Sequence, residues 1–290
     1  MQPVVKYITL IGTMWLVMFG SPVAAEESMR HSTAQPEVSL LSEKLDMPGL
    51  NRQRQIRIYV PPGYATSNKR YPVLYMHDGQ NLFDAATAYA GEWQVDETLN
   101  ALAKSDQLEV IVVGIDNGNE KRMTELNAWD NSQFGKQEGK QYIEFIVKAL
   151  KPLIDQRYRT KADRLNTAMM GSSMGGLITQ YAINQYSDVF GKVGIFSPSY
   201  WAAPDIFSFL KSTPAAKDAR LYLMSGGREG GGVSQAQDAG RAYASILATG
   251  HPERHIKLKI VPEGEHSEAL WRSEFGPAML WLFRPENSEN

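Results

Sequence analysis

The chain has 290 residues, 43% hydrophobic and 21% charged, with a formal net charge of −2. That is the composition of a folded globular protein, not of a disordered or fibrous one. So small a net charge, with no basic run, excludes the usual electrostatic footprint of a nucleic-acid-binding protein. The absence of cysteine excludes a disulfide-stapled fold and a lipid anchor carried on a thiol.

In chain order, residues 1–25 come first. Lys6 precedes the apolar stretch "YITLIGTMWLVMFG", and the small residues Val23 and Ala25 stand just before "EES". This predicts a cleavable signal peptide cut after Ala25, because the apolar run is short for a full membrane span. The expected location is a bacterial periplasm or the medium outside, with no stable membrane anchor once the signal is removed. Residues 26–40 are polar and lack a clear period, so they are expected as a flexible leader. No linker follows, and residues 41–290 are expected as one domain.

Within that domain, "RQIRIYVPPGY" alternates apolar and polar residues and stops at Pro61-Pro62-Gly63, which predicts a strand and turn. "YPVLYMHDG" and "LEVIVVGIDNG" are short continuous apolar runs, as buried strands require. Between them "VDETLNALAKS" has helical spacing. "GKQYIEFIVKALKPLIDQRY" places Tyr142, Phe145, Ile146, Leu150 and Leu153 three and four apart, predicting an amphipathic helix despite Pro152. Strand "RLNTAMMG", helix "MGGLITQYAINQYS", strands "GKVGIFSP", "RLYLMSGG" and "HIKLKIVPEG", and the helix "HSEALWRSEFGPAMLWLF" complete the chain. Alternating strands and helices predict an α/β class: a mostly parallel central sheet with helices on both faces. Reactive groups in such sheets sit on loops at the carboxyl ends of the strands.

One turn stands out. Gly171-Ser172-Ser173-Met174-Gly175 fits G-x-S-x-G with Ser173 at its centre, between a strand and a helix. That context is what a nucleophile elbow requires. Ser172 does not fit, because Met170 and Met174 occupy its flanking glycine positions. The bland alternative is a glycine-rich bend that lets the helix pack on the sheet.

A serine nucleophile needs a base, and the base needs an orienting group. Of the five histidines, His266 alone follows the serine at the carboxyl end of a strand. His31 is in the leader, His77 precedes the serine, and His251 and His255 lie at the entrance of their strand. The acid is expected on the preceding strand's loop, where Glu229 lies in "GGREGGG". Asp238 is the alternative, as is a solvated Glu229 paired with Arg228. The oxyanion donors are expected from the backbone of Met174 and from Gly79 or Gln80 in "HDGQN". No cofactor and no metal is expected. His77-Asp78 is too few ligands for a site, and "HPERH" has Pro252 where a zinc peptidase needs glutamate.

With these residues in view, the chain resembles the esterase D-like group of α/β-hydrolases, which includes enterochelin (siderophore) esterases, feruloyl and acetyl-xylan esterases, S-formylglutathione hydrolases and mycolyltransferases. The resemblance runs from about residue 50 to 284. It is carried by "RIYVPPGY", "YPVLYMHDGQNLFD", "VVGIDNG", "MMGSSMGGL", "IFSPSYW", "LYLMSGGRE" and "EGEHSEALW". It implies an α/β-hydrolase fold, a serine carboxylesterase with Ser173 as nucleophile and His266 as base, and a second oxyanion donor in the "HDGQN" loop. Glu229 is implied as the acid, although some siderophore-lactone hydrolases of the group work with a Ser-His dyad. The expected substrate is a small ester, an acylated sugar or a siderophore lactone. An acyltransferase using the same site, or a non-catalytic binding module of the same fold, stands as the alternative.

Trp93, Trp129 and Trp201 fall on loops near strand ends. They are candidate substrate contacts, with packing on the domain as the equal alternative. Arg122 is read as solvated.

Overall fold

The computed structural model describes residues 30–229 and 234–285. The predicted signal peptide therefore lies outside the described residues. The described residues form ten strands: β1 (Val38–Leu40), β2 (Leu45–Met47), β3 (Arg52–Arg54), β4 (Ile56–Tyr59), β5 (Val73–His77), β6 (Ile111–Ile115), β7 (Thr167–Ser172), β8 (Lys192–Phe196), β9 (Arg220–Gly226) and β10 (Ile256–Val261). Eight of them make one sheet in the order β1-β4-β6-β5-β7-β8-β9-β10, while β2 and β3 pair separately. β1, β4 and β6 pair antiparallel, and every pairing from β6 to β10 is parallel. The carboxyl ends of β5, β7, β8, β9 and β10 consequently open on one edge, which is where the site forms.

The helices are α1 (Val95–Lys104), α2 (Arg122–Glu125), α3 (Gly139–Phe145), α4 (Lys151–Arg157), α5 (Met174–Gln185), α6 (Ile206–Ser212), α7 (Gln235–Ala248) and α8 (Glu268–Phe283). A wide π-helical turn over Ile146–Leu150 joins α3 to α4 just before Pro152. Proline lacks an N–H and crowds the preceding turn, and the wider turn lets the helix continue past it.

The sheet separates two apolar clusters. One packs β5–β9 against α3, α5 and α6 through residues such as Ile143, Ile178 and Ile206. The other packs the opposite face against α1 and α8 through Leu99, Trp271, Phe275 and Met279. Helices thus cover both faces, as expected for an α/β-hydrolase. β5, β6 and β7 are buried at every position, and burial on both faces is why β5 and β6 read as apolar runs.

The expectation of a flexible leader over residues 26–40 is corrected for residues 32–40, while residues 26–29 lie outside the described residues. Ser32 Oγ donates to Asp84 at 3.0 Å, Thr33 Oγ1 to Glu92 at 2.9 Å, and the Gln35 N–H to Asp96 at 2.8 Å. β1 then joins the sheet edge beside β4. Polar side chains that look unstructured in sequence are here matched to polar partners more than fifty residues away.

Candidate active site

Ser173 sits between β7 and α5 with φ 58° and ψ −122°. A non-glycine residue adopts that conformation only when its surroundings impose it. The imposing contacts are close. A Cβ on Gly171 would lie 2.8 Å from the Gly175 carbonyl carbon and 2.8 Å from His77 Cδ2. The Ser173 N–H donates to Phe196 O at 2.9 Å, tying the turn to the end of β8. Met174 opens α5, so its N–H belongs to the first turn, which has no intrahelical acceptor.

His266 follows β10. Its Nδ1 is 3.3 Å from Glu229 Oε2 and 2.9 Å from Gln235 Oε1, the first residue of α7. Glu229 is 1% exposed. Its Oε1 accepts from Ser197 Oγ at 2.6 Å and from the Gly226 N–H at 2.7 Å, and its Oε2 accepts from Ser225 Oγ at 3.2 Å. Burial pushes the Glu229 carboxyl up. The bonds from His266, Ser197 and Gly226 outweigh it and hold the group below the usual carboxylate range. Arg228, the alternative partner considered for Glu229, pairs with Glu263 instead. Asp238 lies in the first turn of α7, half-buried.

Ser197 and Ser199 both come from the loop after β8. Ser197, with φ 42°, also accepts from Trp271 Nε1 at 2.9 Å. Ser199 Oγ is 3.1 Å from Ser173 Oγ. Among the described residues, Ser173 Oγ forms no hydrogen bond to His266. The two side chains do line one cavity of about 550 Å³ together with His77, Asp78, Gln80, Trp93, Arg122 and Trp271.

The "HDGQN" loop forms a single turn of 3₁₀ helix, Gly79–Asn81, entered through Asp78 at φ 56°. Gln80 lines the cavity, and the Asn117 N–H donates to its side-chain oxygen at 3.0 Å. Gly79 packs onto the end of β6, where a Cβ would meet Asp116 Oδ1 at 2.7 Å. Arg122 is not a solvated surface cation. Its Nε and Nη2 grip Asp78 at 2.6 and 2.9 Å on the cavity wall. Burial pushes the Asp78 carboxyl up, but the charge and hydrogen bonds of Arg122 and the Asn117 amide bring it below its ordinary value.

Of the three loop tryptophans, Trp93 lines the cavity, stacked on Phe196 at 5.6 Å and tilted against Trp271 at 5.8 Å. Trp129 instead packs edge-on between Tyr181 and Phe209, and Trp201, 52% exposed, meets Phe134. Neither lines the cavity. His251 and His255 bond to the backbone oxygens of Ala219 and Lys217, at the amino end of β9.

The family model described as "Putative esterase" matches residues 48–282. The chain belongs to this family. It is an ester-hydrolysing enzyme with the α/β-hydrolase fold. It is 26% identical over 247 residues to the uncharacterized protein YbbA of Bacillus subtilis, covering 81% of this chain and 94% of the relative. It is 28% identical over 238 residues to the iron(III) salmochelin esterase of Escherichia coli O6:H1, covering 76% of this chain but only 52% of that relative, so it spans about half of the latter's length. Among solved structures it resembles an IroE-like serine hydrolase from Shewanella oneidensis, with a TM-score of 0.68 and 25% identity over 85% of this chain and 80% of that one.

Ser197, Ser199, Gln235 and Trp271 of the candidate site were not singled out in the sequence. The two serines flank Pro198 in "IFSPSYW", a polar cluster directly after a buried strand. That was the available signal.

Proposed function

We propose that the protein hydrolyses carboxylic esters through an acyl-Ser173 intermediate. The observation that carries this reading is the strained Ser173 backbone at a strand-to-helix turn, opening on the same cavity as His266. His266 Nε2 takes the Ser173 proton as Oγ attacks the ester carbonyl. The N–H groups of Met174 and of Gly79 or Gln80 face the developing oxyanion. His266 then protonates the leaving alkoxide and activates water, which releases the acid and restores Ser173. Glu229, held ionised by its donors, keeps the Nδ1 proton of His266 in place and steadies the imidazolium.

The substrate reading is a small ester with an aromatic acyl part, as in a siderophore lactone or an aryl-acylated sugar. Two indole walls, Trp93 and Trp271, support it, as does the salmochelin esterase relative. Export through residues 1–25 belongs to the same reading and rests on the sequence of that segment.

The experiment is hydrolysis of short-chain p-nitrophenyl esters by the parent, Ser173→Ala and Ser172→Ala. Loss of activity in Ser173→Ala alone is expected. Equal loss in both variants, or none in either, contradicts the assignment.

A further inference from the structure

Ser199 is 1% exposed, and its hydroxyl has one hydrogen-bond partner among the described residues, Ser173 Oγ at 3.1 Å. Its place is fixed from several sides. The Ser199 N–H donates to Ser173 O at 3.0 Å, the Ser199 carbonyl accepts from the Ala202 N–H at 3.0 Å, and Ser173 N is bonded to Phe196 O. The loop after β8 and the nucleophile turn are therefore laced together by backbone bonds, with the two hydroxyls facing each other between them.

The direction of the hydroxyl–hydroxyl bond follows from hydrogen-bond accounting. A buried hydroxyl that does not donate leaves its hydrogen unsatisfied, at a cost larger than the gain from an ordinary bond. If Ser173 donated to Ser199, the buried Ser199 hydrogen would have no acceptor. If Ser199 donates to Ser173, its hydrogen is used and the Ser173 hydrogen remains free for His266. The second arrangement satisfies the buried Ser199 hydroxyl and leaves the Ser173 hydrogen on the half-buried residue that lines the cavity.

A donor aimed at Ser173 Oγ does not act equally on the two halves of ester hydrolysis. In acylation Oγ is the nucleophile: charge appears as His266 takes its proton and is spent as the C–Oγ bond forms. A hydrogen bond there steadies the oxygen but also dulls its attack. In deacylation Oγ is the leaving atom. Water adds to the acyl carbonyl, passing its proton to His266. The C–Oγ bond then breaks, its electron pair stays on Oγ, and Oγ takes the proton back from His266. A hydrogen bond strengthens as its acceptor becomes charged, so Ser199 favours this second step.

We propose that Ser199 is a catalytic residue of deacylation, donating to Ser173 Oγ as the acyl group leaves. This rests on Ser173 being the nucleophile. The test is p-nitrophenyl acetate turnover by the parent, Ser199→Ala and Ser199→Thr, with intact-mass detection of the acetyl-enzyme. For Ser199→Ala, kcat is expected to fall about 10- to 100-fold, the range for losing a hydrogen bond to a charging oxygen. Over the same comparison kcat/KM stays within about 3-fold, and acetyl-Ser173 accumulates. Ser199→Thr keeps the hydroxyl and restores kcat. Unchanged kcat in Ser199→Ala, or kcat and kcat/KM falling together without acetyl-enzyme, overturns the proposal. If Ser199→Ala does not fold, Ser199→Cys, a weaker donor of similar size, must show the same lowering of kcat alone. Acetylation of the parent at a residue other than Ser173 would mark failure of the nucleophile reading itself, a result separate from any of these.

Discussion

His266 Nδ1 stands closer to Gln235 Oε1, at 2.9 Å, than to Glu229 Oε2, at 3.3 Å. Its N–H is shared between a neutral amide and a buried carboxylate. A carboxylate stabilises an imidazolium far more than an amide does. Glu229→Gln should lower kcat/KM by about 100-fold or more if Glu229 completes the site. A loss smaller than about 3-fold, on the same scale, would instead indicate a Ser-His dyad.

His77, the last residue of β5, braces the Ser173 turn against Gly171 and Gly175 and is buried, with Nδ1 2.8 Å from Tyr142 Oη. Burial, with the charge of Arg122 adding to it against Asp78, lowers its pKa to about 4. The unfolded chain takes up the proton near pH 6.5, so between those values it binds more protons than the folded chain. Stability from this group is fully present above pH 6.5 and is lost as pH falls towards 4. Urea denaturation should give a stability about 2 kcal/mol lower at pH 5 than at pH 7 from His77 alone. His77→Gln should flatten that dependence, and an unchanged slope would contradict the account.

Thr33 ties the arm to the cavity-mouth loop. Its hydroxyl donates to Glu92 and accepts the Ala85 N–H at 2.8 Å, while Tyr89, Ala90 and Trp93 of the same loop line the cavity. A chain that begins at Pro36 should show a KM raised several-fold and a lower Tm, with kcat little changed, because Ser173, His266 and Glu229 are all retained. A KM equal to the parent's would show that the arm does not shape the cavity.

Asp96 is buried in α1, with its ligand oxygens close to those of Glu92 and Glu97. Burial and the neighbouring Glu97 push its carboxyl up. The folded chain thus holds a proton that the unfolded chain has released, and stability falls as pH rises above the ordinary carboxylate range. Asp96→Asn keeps an acceptor for the Gln35 N–H and removes the titration. Its Tm should exceed the parent's at pH 8, and the gain should shrink at pH 5. A lower Tm at both values would contradict this.

What the sequence showed divides along physical lines. β5 and β6 were legible because strands buried on both faces are apolar along nearly their whole length. Ser173 was legible because the tight turn demands glycine two residues to either side, and His266 because it follows β10 on the site edge. Ser197, Ser199 and Gln235 were not, since their contacts cross from β8 to β7 and from α7 to β10, and no local spacing encodes such a pairing. Trp129 and Trp201 illustrate the converse: loop position near a strand end does not say which way an indole points. Thr33 looked unstructured because its partners, Ala85 and Glu92, lie more than fifty residues on.

The central claim is that Ser173 is the acylated residue. The most direct test is fluorophosphonate labelling of the parent protein followed by peptide mass mapping, with Ser173→Ala and Ser172→Ala alongside. The account predicts one adduct, on Ser173, present in Ser172→Ala and absent in Ser173→Ala. An adduct on Ser172, or labelling that survives Ser173→Ala, would contradict it.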